Sequence, residues 1–150
     1  MTERWRPNTT VATVVESEGR YLMVEEQEPN GIATVLNQPA GHLEPGEGLI
    51  DAAKREVLEE TRWEIEVEGY LGVAVFAAPN GLTYLRHSFA GRPVREHGDR
   101  PLDTGIIAAH WMDMAAIERC VPLHRSHLVL EVLKRHRAGE IAPLSFVIDP

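Results

Sequence analysis

Residues 41–63, GHLEPGEGLIDAAKREVLEETRW, contain the pattern from which much of the fold can be inferred. The stretch begins with a turn rich in glycine and proline. After Gly48, neither glycine nor proline interrupts the chain up to Thr61. Apolar residues in this segment recur at helical spacing: Leu49, Ala52, Ala53 and Val57. The pattern predicts a helix over residues 48–61 with one face buried in the core.

Three glutamates near the end of this predicted helix should lie along one edge. Glu59 and Glu60 follow Glu56 by three and four residues, and side chains at these spacings are neighbours on a helix. Each like-charged pair costs roughly a few tenths of a kcal/mol, and the helix dipole also disfavours anions there. A hard divalent cation such as Mg²⁺, which prefers oxygen ligands, would neutralise them. The alternative is a solvated charged face.

Three nearby residues could support such a site. Arg55 precedes Glu59 by four residues, so its planar guanidinium could hold carboxylates in a fixed orientation. The backbone carbonyl of Gly41 could approach an ion closely because no side chain intervenes. Glu47, near the helix start, could either interact favourably with the helix dipole or reach the metal as a further ligand.

Residues 41–63 resemble the signature of the Nudix hydrolases, Gly-x5-Glu-x7-Arg-Glu-U-x-Glu-Glu-x-Gly-U, in which U is a bulky apolar residue. The matching positions are Gly41, Glu47, Arg55, Glu56, Val57, Glu59, Glu60 and Trp63. The one departure is Arg62, which stands where the pattern has glycine. That glycine follows the helix, where a left-handed backbone is common, so another residue there costs roughly 1 kcal/mol.

The resemblance implies an α/β/α sandwich with a mixed β-sheet. It also implies that a phosphoanhydride is hydrolysed by a water molecule that bound Mg²⁺ activates, with Mn²⁺ as a substitute. The implied metal ligands are Glu56, Glu59, Glu60 and the Gly41 carbonyl. Arg55 and Glu47 would be the supporting catalytic pair.

The base that accepts the proton from water is left open between two sources. Glu59 or Glu56 within the motif is favoured. The alternative is a carboxylate from a distant charged loop: Glu96, Asp99 or Asp103. Nothing in the spacing of His42 or His97 marks either histidine as a ligand.

Residues outside the motif are candidates for substrate binding. Residues 37–44 and the later Arg125-Ser126-x-Leu128 resemble a bacterial Nudix subgroup of nucleoside di- and triphosphatases that also act on a thiamine-precursor pyrophosphate. Gln38, or its neighbour Asn37, could bind a phosphate through its amide, and Arg86 could pair with a terminal phosphate. Arg125 is a further candidate for substrate binding because it matches the sequence pattern of this subgroup. Strand alternation also allows Arg86 to be an outward-facing polar residue.

These features favour a Mg²⁺-dependent hydrolase of nucleoside di- or triphosphates, or of a related small organic pyrophosphate. One alternative is an ADP-ribose or nucleotide-sugar pyrophosphatase. A second, from another class, is a regulator that senses a nucleotide without catalysis. Because a sensor can lose motif glutamates without penalty and this chain retains all three, the enzyme is favoured.

Length and charge restrict the remaining functions. The chain has 150 residues, which favours one domain over residues 1–150. Its net charge of −8 disfavours a nucleic-acid partner. The chain has a single cysteine, Cys120, which cannot form an internal disulfide. The first residues lack the apolar core of a signal peptide. No apolar run is long enough to cross a membrane. We therefore expect a cytoplasmic protein, for which a homodimer is compatible.

Alternating and β-branched residues elsewhere predict strands around the helix. The predicted strands cover residues 10–15, 21–24, 34–36, 67–77, 82–91, 106–112 and, at an edge, 144–148. A turn is predicted at Pro29-Asn30-Gly31, and residues 92–105 are predicted to be a charged loop. Asp113 and Ser126 each favour the start of a later helix. This order indicates an α/β or α+β fold.

Overall fold

The computed structural model describes residues 2–28 and 30–150, so Met1 and Pro29 of the predicted turn lie outside the described residues. Eight strands are found in these ranges: β1 (Asn8–Ser17), β2 (Arg20–Gln27), β3 (Thr34–Asn37), β4 (Ala40–His42), β5 (Trp63–Ala77), β6 (Thr83–Glu96), β7 (Ile106–Asp113) and β8 (Ala142–Pro143). They form one sheet in the order β3-β2-β1-β6-β5-β8, with β4 paired to β1 and β7 paired to β2. Since β1 runs parallel to β6 and antiparallel to β2 and β4, the sheet is mixed, as predicted.

Helices cover both faces of this sheet: α1 (Leu49–Thr61) on one side and α2 (Met114–Arg119) with α3 (Leu128–Arg137) on the other. Successive side chains of β1 point to opposite faces. Val11 and Val15 pack into the core beneath α1, whereas Val14 packs into the core beneath α2 and α3. The predicted α/β/α sandwich and the predicted helix of the motif are therefore confirmed. Within the described ranges, no helix has both the length and the apolar character needed to cross a membrane.

Two predicted segments were wrong. Residues 92–96 continue β6 instead of opening a loop, and cross-strand ion pairs such as Arg92 with Glu68 (2.8 Å) help to hold them. Pro93 is accommodated because it lies opposite Ile65, where the register shifts at a bulge. Residues 144–148 do not form the edge strand, which is β8 instead. Leu144–Phe146 form a 3₁₀ helix that turns the tail inwards, towards α1.

The tail provides the N-terminal cap of α1. Gly48 occupies the cap position and has no side chain to accept a hydrogen bond. The carboxylate of Asp149 accepts from the Leu49 N–H (2.8 Å) and the Ile50 N–H (3.0 Å). A Cβ on Gly48 would lie 2.6 Å from Asp149 Cγ, so glycine allows the carboxylate to approach. Asp149 satisfies two of the free N–H groups at the start of α1.

The end of α1 contains the residue that departs from the Nudix signature. Arg62 has a left-handed backbone (φ 70°), and its N–H donates to Leu58 O (2.9 Å). The helix thus ends where the signature places glycine, with a conformational cost of about 1 kcal/mol for the arginine. Asp113 is the N-cap of α2, as predicted, and accepts from the Ala116 N–H (2.8 Å). The N-cap of α3 is His127; the predicted cap, Ser126, lies one residue earlier and accepts from the Leu128 N–H (3.2 Å).

Candidate active site

Arg55 is the centre of the candidate site. Its Nε and Nη2 donate to the two oxygens of Glu47 (2.7 and 2.9 Å), which is a bidentate ion pair. Its Nη1 donates to Glu56 Oε1 (2.8 Å) and to Glu59 Oε2 (3.2 Å), and Nη2 also donates to the carbonyl of His42 (3.0 Å). The hydrogen bonds from Arg55 lower the pKa of Glu47. One guanidinium therefore orients three carboxylates and the turn before α1.

Gly41 allows β4 to pass directly beneath the Glu56 carboxylate. A Cβ on Gly41 would fall 2.1 Å from Glu56 Oε1 and 2.2 Å from Glu56 Cδ. With the Glu56 carboxylate in this position, there is no room for a side chain at position 41. The glycine at the start of the motif is thus required by the close approach of α1 to β4.

Glu60 is the second buried carboxylate of the motif. Its Oε1 accepts from the Ala40 N–H (2.8 Å), which attaches the end of α1 to β4. The pKa of Glu60 is raised to about 9, mainly by burial; the Ala40 N–H lowers the pKa, and the negative charges of Glu26, Glu56 and Asp103 contribute to raising it. Burial also raises the pKa of Glu56. Without a nearby cation, Glu60 is mainly protonated at neutral pH.

The donor set suits a hard divalent cation. As the side chains stand, no group of three or more His, Cys, Asp or Glu converges to hold a metal ion within residues 2–28 and 30–150. Arg55 and the Ala40 N–H bind oxygens that an ion would otherwise use. Yet two buried carboxylates with raised pKa values, beside a third that is partly exposed, are the oxygen ligands that Mg²⁺ prefers. A bound cation would compensate their desolvation.

Arg86 lies in a second, polar cluster with Asn37 and Gln38, and it does not face outward as strand alternation had allowed. It is buried, and its Nη2 donates to Gln38 Oε1 (2.9 Å) and Asn37 Oδ1 (3.2 Å). Gln38 is held in turn by its donation to Val129 O (2.8 Å). Burial lowers the pKa of Arg86 to about 10, so it remains charged at neutral pH. Among the described residues its Nε has no hydrogen-bond partner.

Glu26 links this cluster to the carboxylates, a role that the sequence did not reveal. Its Oε1 accepts from Arg125 Nη1 (2.9 Å) and from Asn37 Nδ2 (3.4 Å). Its charge raises the pKa of both Arg86 and Glu60, so it acts on both groups. Two arginines and one glutamate thus form a cluster with net positive charge next to the acidic motif. No local pattern marks Glu26, because its partners come from distant segments.

The predicted loop carboxylates fall at different distances from the site. Asp103 is adjacent: its N–H donates to Glu59 O (2.9 Å), and its charge raises the pKa of Glu56 and Glu60. Glu96 lies on β6 opposite Trp63, in the extension of the strand. Asp99 is exposed in the loop after β6. Of the two histidines, His97 contacts Glu64 (3.1 Å).

Comparison with known proteins shows which proteins this chain resembles. The NUDIX domain model matches residues 4–131. Proteins called Phosphatase NudJ from Shigella boydii serotype 4 (strain Sb227) and Escherichia coli (strain K12) are each 37% identical over 145 residues, which cover 97% of this chain and 93% of the relative. A solved NUDIX hydrolase from Nitrosomonas europaea is 45% identical with a TM-score of 0.92, covering 95% of this chain and 97% of that chain. A UDP-X diphosphatase structure, 15% identical with a TM-score of 0.73 over 95% of this chain and 68% of that one, shares the fold alone.

Gly41→Ala should displace the Glu56 carboxylate while preserving the fold. The new methyl group would overlap the flexible end of a glutamate, which can rotate away. We expect hydrolytic activity to fall at least tenfold, about 1.4 kcal/mol in transition-state stabilisation, with a thermal midpoint within about 3 °C of the unmodified protein. Gly98→Ala is the matched control, because a Cβ there meets nothing within 4 Å. Full activity in Gly41→Ala would show that the position of Glu56 is unimportant.

Stability of the metal-free protein should fall as pH rises, because Glu60 binds its proton more tightly when folded. The folded pKa of about 9 exceeds the ordinary 4.5, so between these values the folded state holds the extra proton. The free energy of unfolding then decreases with pH by up to about 1.4 kcal/mol per unit. Urea denaturation in EDTA at pH 6, 7 and 8 measures this slope. Glu60→Gln, which retains an acceptor for the Ala40 N–H, should flatten it. The exposed control Glu118→Gln should not, and equal slopes in all three proteins would refute the assignment.

Proposed function

Because the chain belongs to the Nudix family, we propose that it hydrolyses nucleoside di- or triphosphates, or a related small organic pyrophosphate, with Mg²⁺ as cofactor. The chain is a pyrophosphohydrolase. Our proposal adds two things to this assignment: the metal and the substrate class. The observation that carries the proposal is the pair of buried carboxylates, Glu56 and Glu60, held against β4 beside Gly41.

The proposed metal ligands are Glu56, Glu59, Glu60 and the Gly41 carbonyl, with Mn²⁺ as a substitute for Mg²⁺. A divalent ion held by these ligands would neutralise phosphate charge and would lower the pKa of a water molecule. Arg55 supports these ligands by fixing two of the carboxylates through one nitrogen.

Glu59 is the proposed base. Its side chain is 30% exposed, whereas that of Glu56 is 10% exposed, so water and substrate reach Glu59 more readily. Arg55 contacts Glu59 through one oxygen, Oε2, which leaves the second oxygen free of that hydrogen bond. Glu47 binds Arg55 bidentately and is therefore proposed to orient it, with no direct part in proton transfer. Glu56 and Glu60 serve as ligands in this scheme.

The positive cluster is proposed to bind the terminal phosphate of the substrate. Arg86 is fixed by Gln38 and Asn37, and its buried Nε has no hydrogen-bond partner among the described residues, so a phosphate oxygen that entered the cluster would supply one. Arg125 is half exposed and could approach the same phosphate from the solvent side. A terminal phosphate carries more negative charge than the internal phosphates of ADP-ribose or a nucleotide sugar. The relatives are called Phosphatase NudJ, and this name supports a substrate that ends in a phosphate.

Glu59→Gln should reduce kcat at least 100-fold, because general-base catalysis contributes about 10²- to 10⁴-fold. The assay measures phosphate and pyrophosphate release from ADP, ATP and a thiamine-type pyrophosphate, with Mg²⁺ and with EDTA. Glu131→Gln, which removes an exposed charge on α3, is the matched control and should behave like the unmodified protein. Near-normal turnover by Glu59→Gln would overturn its role. Nucleotide binding without turnover in the unmodified protein would favour the regulator instead.

Arg125→Met should impair substrates that end in a phosphate more than those that do not. We expect KM for ADP and ATP to rise roughly tenfold, the equivalent of about 1.4 kcal/mol, and KM for ADP-ribose to rise less than twofold. Arg119→Met removes an exposed arginine on α2 and controls for net charge. If the unmodified protein prefers ADP-ribose or a nucleotide sugar, the alternative function, an ADP-ribose or nucleotide-sugar pyrophosphatase, is correct.

A further inference from the structure

Phe76 and Tyr84 are two partly exposed aromatic residues on the strands that flank the turn between β5 and β6. Other rings of the same strands serve the core: Phe89 is buried beneath α1, and Tyr70 packs against that core. Among the described residues, neither Phe76 nor Tyr84 belongs to either hydrophobic core or packs against one. Core packing therefore does not explain why these two positions are aromatic.

Both rings lie on the face of the sheet that carries Arg86. Tyr84 precedes Arg86 by two residues on β6, so their side chains point to the same face about 7 Å apart. Phe76 lies directly opposite Tyr84 on β5, and directly opposite residues share a face. The strand neighbours of Arg86 are small: Ala74 on β5 and Thr10 on β1. The proposed phosphate-binding cluster therefore shares a face with the two rings and has small side chains beside it.

The segment before α3 reaches both the phosphate-binding cluster and the rings. Arg125 belongs to that cluster, and His127, two residues later, occupies the N-cap position of α3. The ring centroids of His127 and Phe76 are 5.8 Å apart, with their planes at 57°. Gln38 fixes this arrangement, because it donates to a backbone carbonyl in the first turn of α3 (2.8 Å) and accepts from Arg86 (2.9 Å).

Tyr84 has neighbours on two sides. Asn80, in the turn between β5 and β6, donates to its hydroxyl (3.4 Å). The exposed ring of His42 lies edge-on to it, with the centroids 6.3 Å apart and the planes at 61°. His42 follows Gly41, whose carbonyl is a proposed metal ligand. We call these four rings the aromatic surface: Phe76, Tyr84, His42 and His127.

We propose that the aromatic surface binds a flat aromatic ring in the organic part of the substrate, and that Phe76 stacks against this ring and thereby determines specificity. A pyrophosphate whose phosphates contact Arg86 or Arg125 has its organic group beside these rings. Every aromatic heterocycle has a π-face on which another ring can stack, whereas an aliphatic chain or a sugar alone lacks one. The inference rests on the proposed function, because it takes the positive cluster to bind the phosphates. It narrows the substrate class to pyrophosphates that carry an aromatic ring.

ADP and ribose 5-diphosphate form a matched pair of substrates, because the second lacks only the adenine ring. We expect the unmodified protein to show a KM for ADP at least tenfold below that for ribose 5-diphosphate. UDP, which carries a different ring, should resemble ADP, since stacking tolerates different bases. A surface that recognised phosphates alone would give equal KM values.

Phe76→Leu removes the ring but keeps an apolar side chain. KM for ADP should rise about tenfold with kcat unchanged, whereas KM for ribose 5-diphosphate should change less than twofold. Phe76→Tyr restores a flat ring and should keep KM for ADP within twofold of the unmodified protein. Phe146→Leu, at an exposed phenylalanine of the tail, is the matched control and should alter neither KM. A thermal midpoint within about 3 °C of the unmodified protein checks that each variant is folded.

The outcomes separate this inference from the proposed function. Equal KM values for ADP and ribose 5-diphosphate in the unmodified protein, or equal rises of both in Phe76→Leu, would overturn the ring contact and leave the hydrolysis intact. If the unmodified protein hydrolyses neither compound, the proposed hydrolysis of nucleoside diphosphates fails, and titration calorimetry with Mg²⁺ makes the same comparison. Tighter binding of ADP that is lost in Phe76→Leu then supports the aromatic surface, whereas equal or absent binding overturns it as well.

Discussion

The close approach of α1 to β4 is the constraint on which the candidate site depends. It places the Glu56 carboxylate where a side chain of residue 41 would be, and it directs Glu60 to the Ala40 N–H. Carboxylates brought together in this way repel one another and lose hydration. Arg55 offsets part of this cost by binding Glu56 and Glu59 with one nitrogen. The remaining excess of negative charge favours a cation and, through it, an anionic substrate.

Three separate segments hold α1 in this position. At its start, the Asp149 carboxylate binds two backbone N–H groups. Along its length, apolar residues such as Val57 pack against the sheet. At its end, the left-handed Arg62 stops the helix and meets the loop after β6. The helix thus has little freedom to move relative to β4, which suits a site that must hold several oxygen atoms in fixed positions.

The parts of the molecule that depend on local patterns could be predicted from the sequence. The helix of the motif and its buried face both follow from spacing along one element. The role of Glu26 could not be found in this way, because its partners Asn37 and Arg125 come from other segments. The extension of β6 was missed since Pro93 and several charges suggested a loop, whereas a bulge in β6 beside Pro93 accommodates the proline. The inward orientation of Arg86 could not be predicted, because it depends on its contacts with Asn37 and Gln38, which no local pattern identifies.

The cap of α1 has a consequence for the order in which the protein is made. Asp149 lies 100 residues after Leu49, so a ribosome synthesises the helix long before the carboxylate that completes its first turn. The parallel pairing of β1 with β6 likewise joins residues more than seventy positions apart. Such distant contacts form late, because a long loop of chain must close first. A nascent chain therefore contains all the motif glutamates well before β6 and Asp149 are available to hold α1 in place.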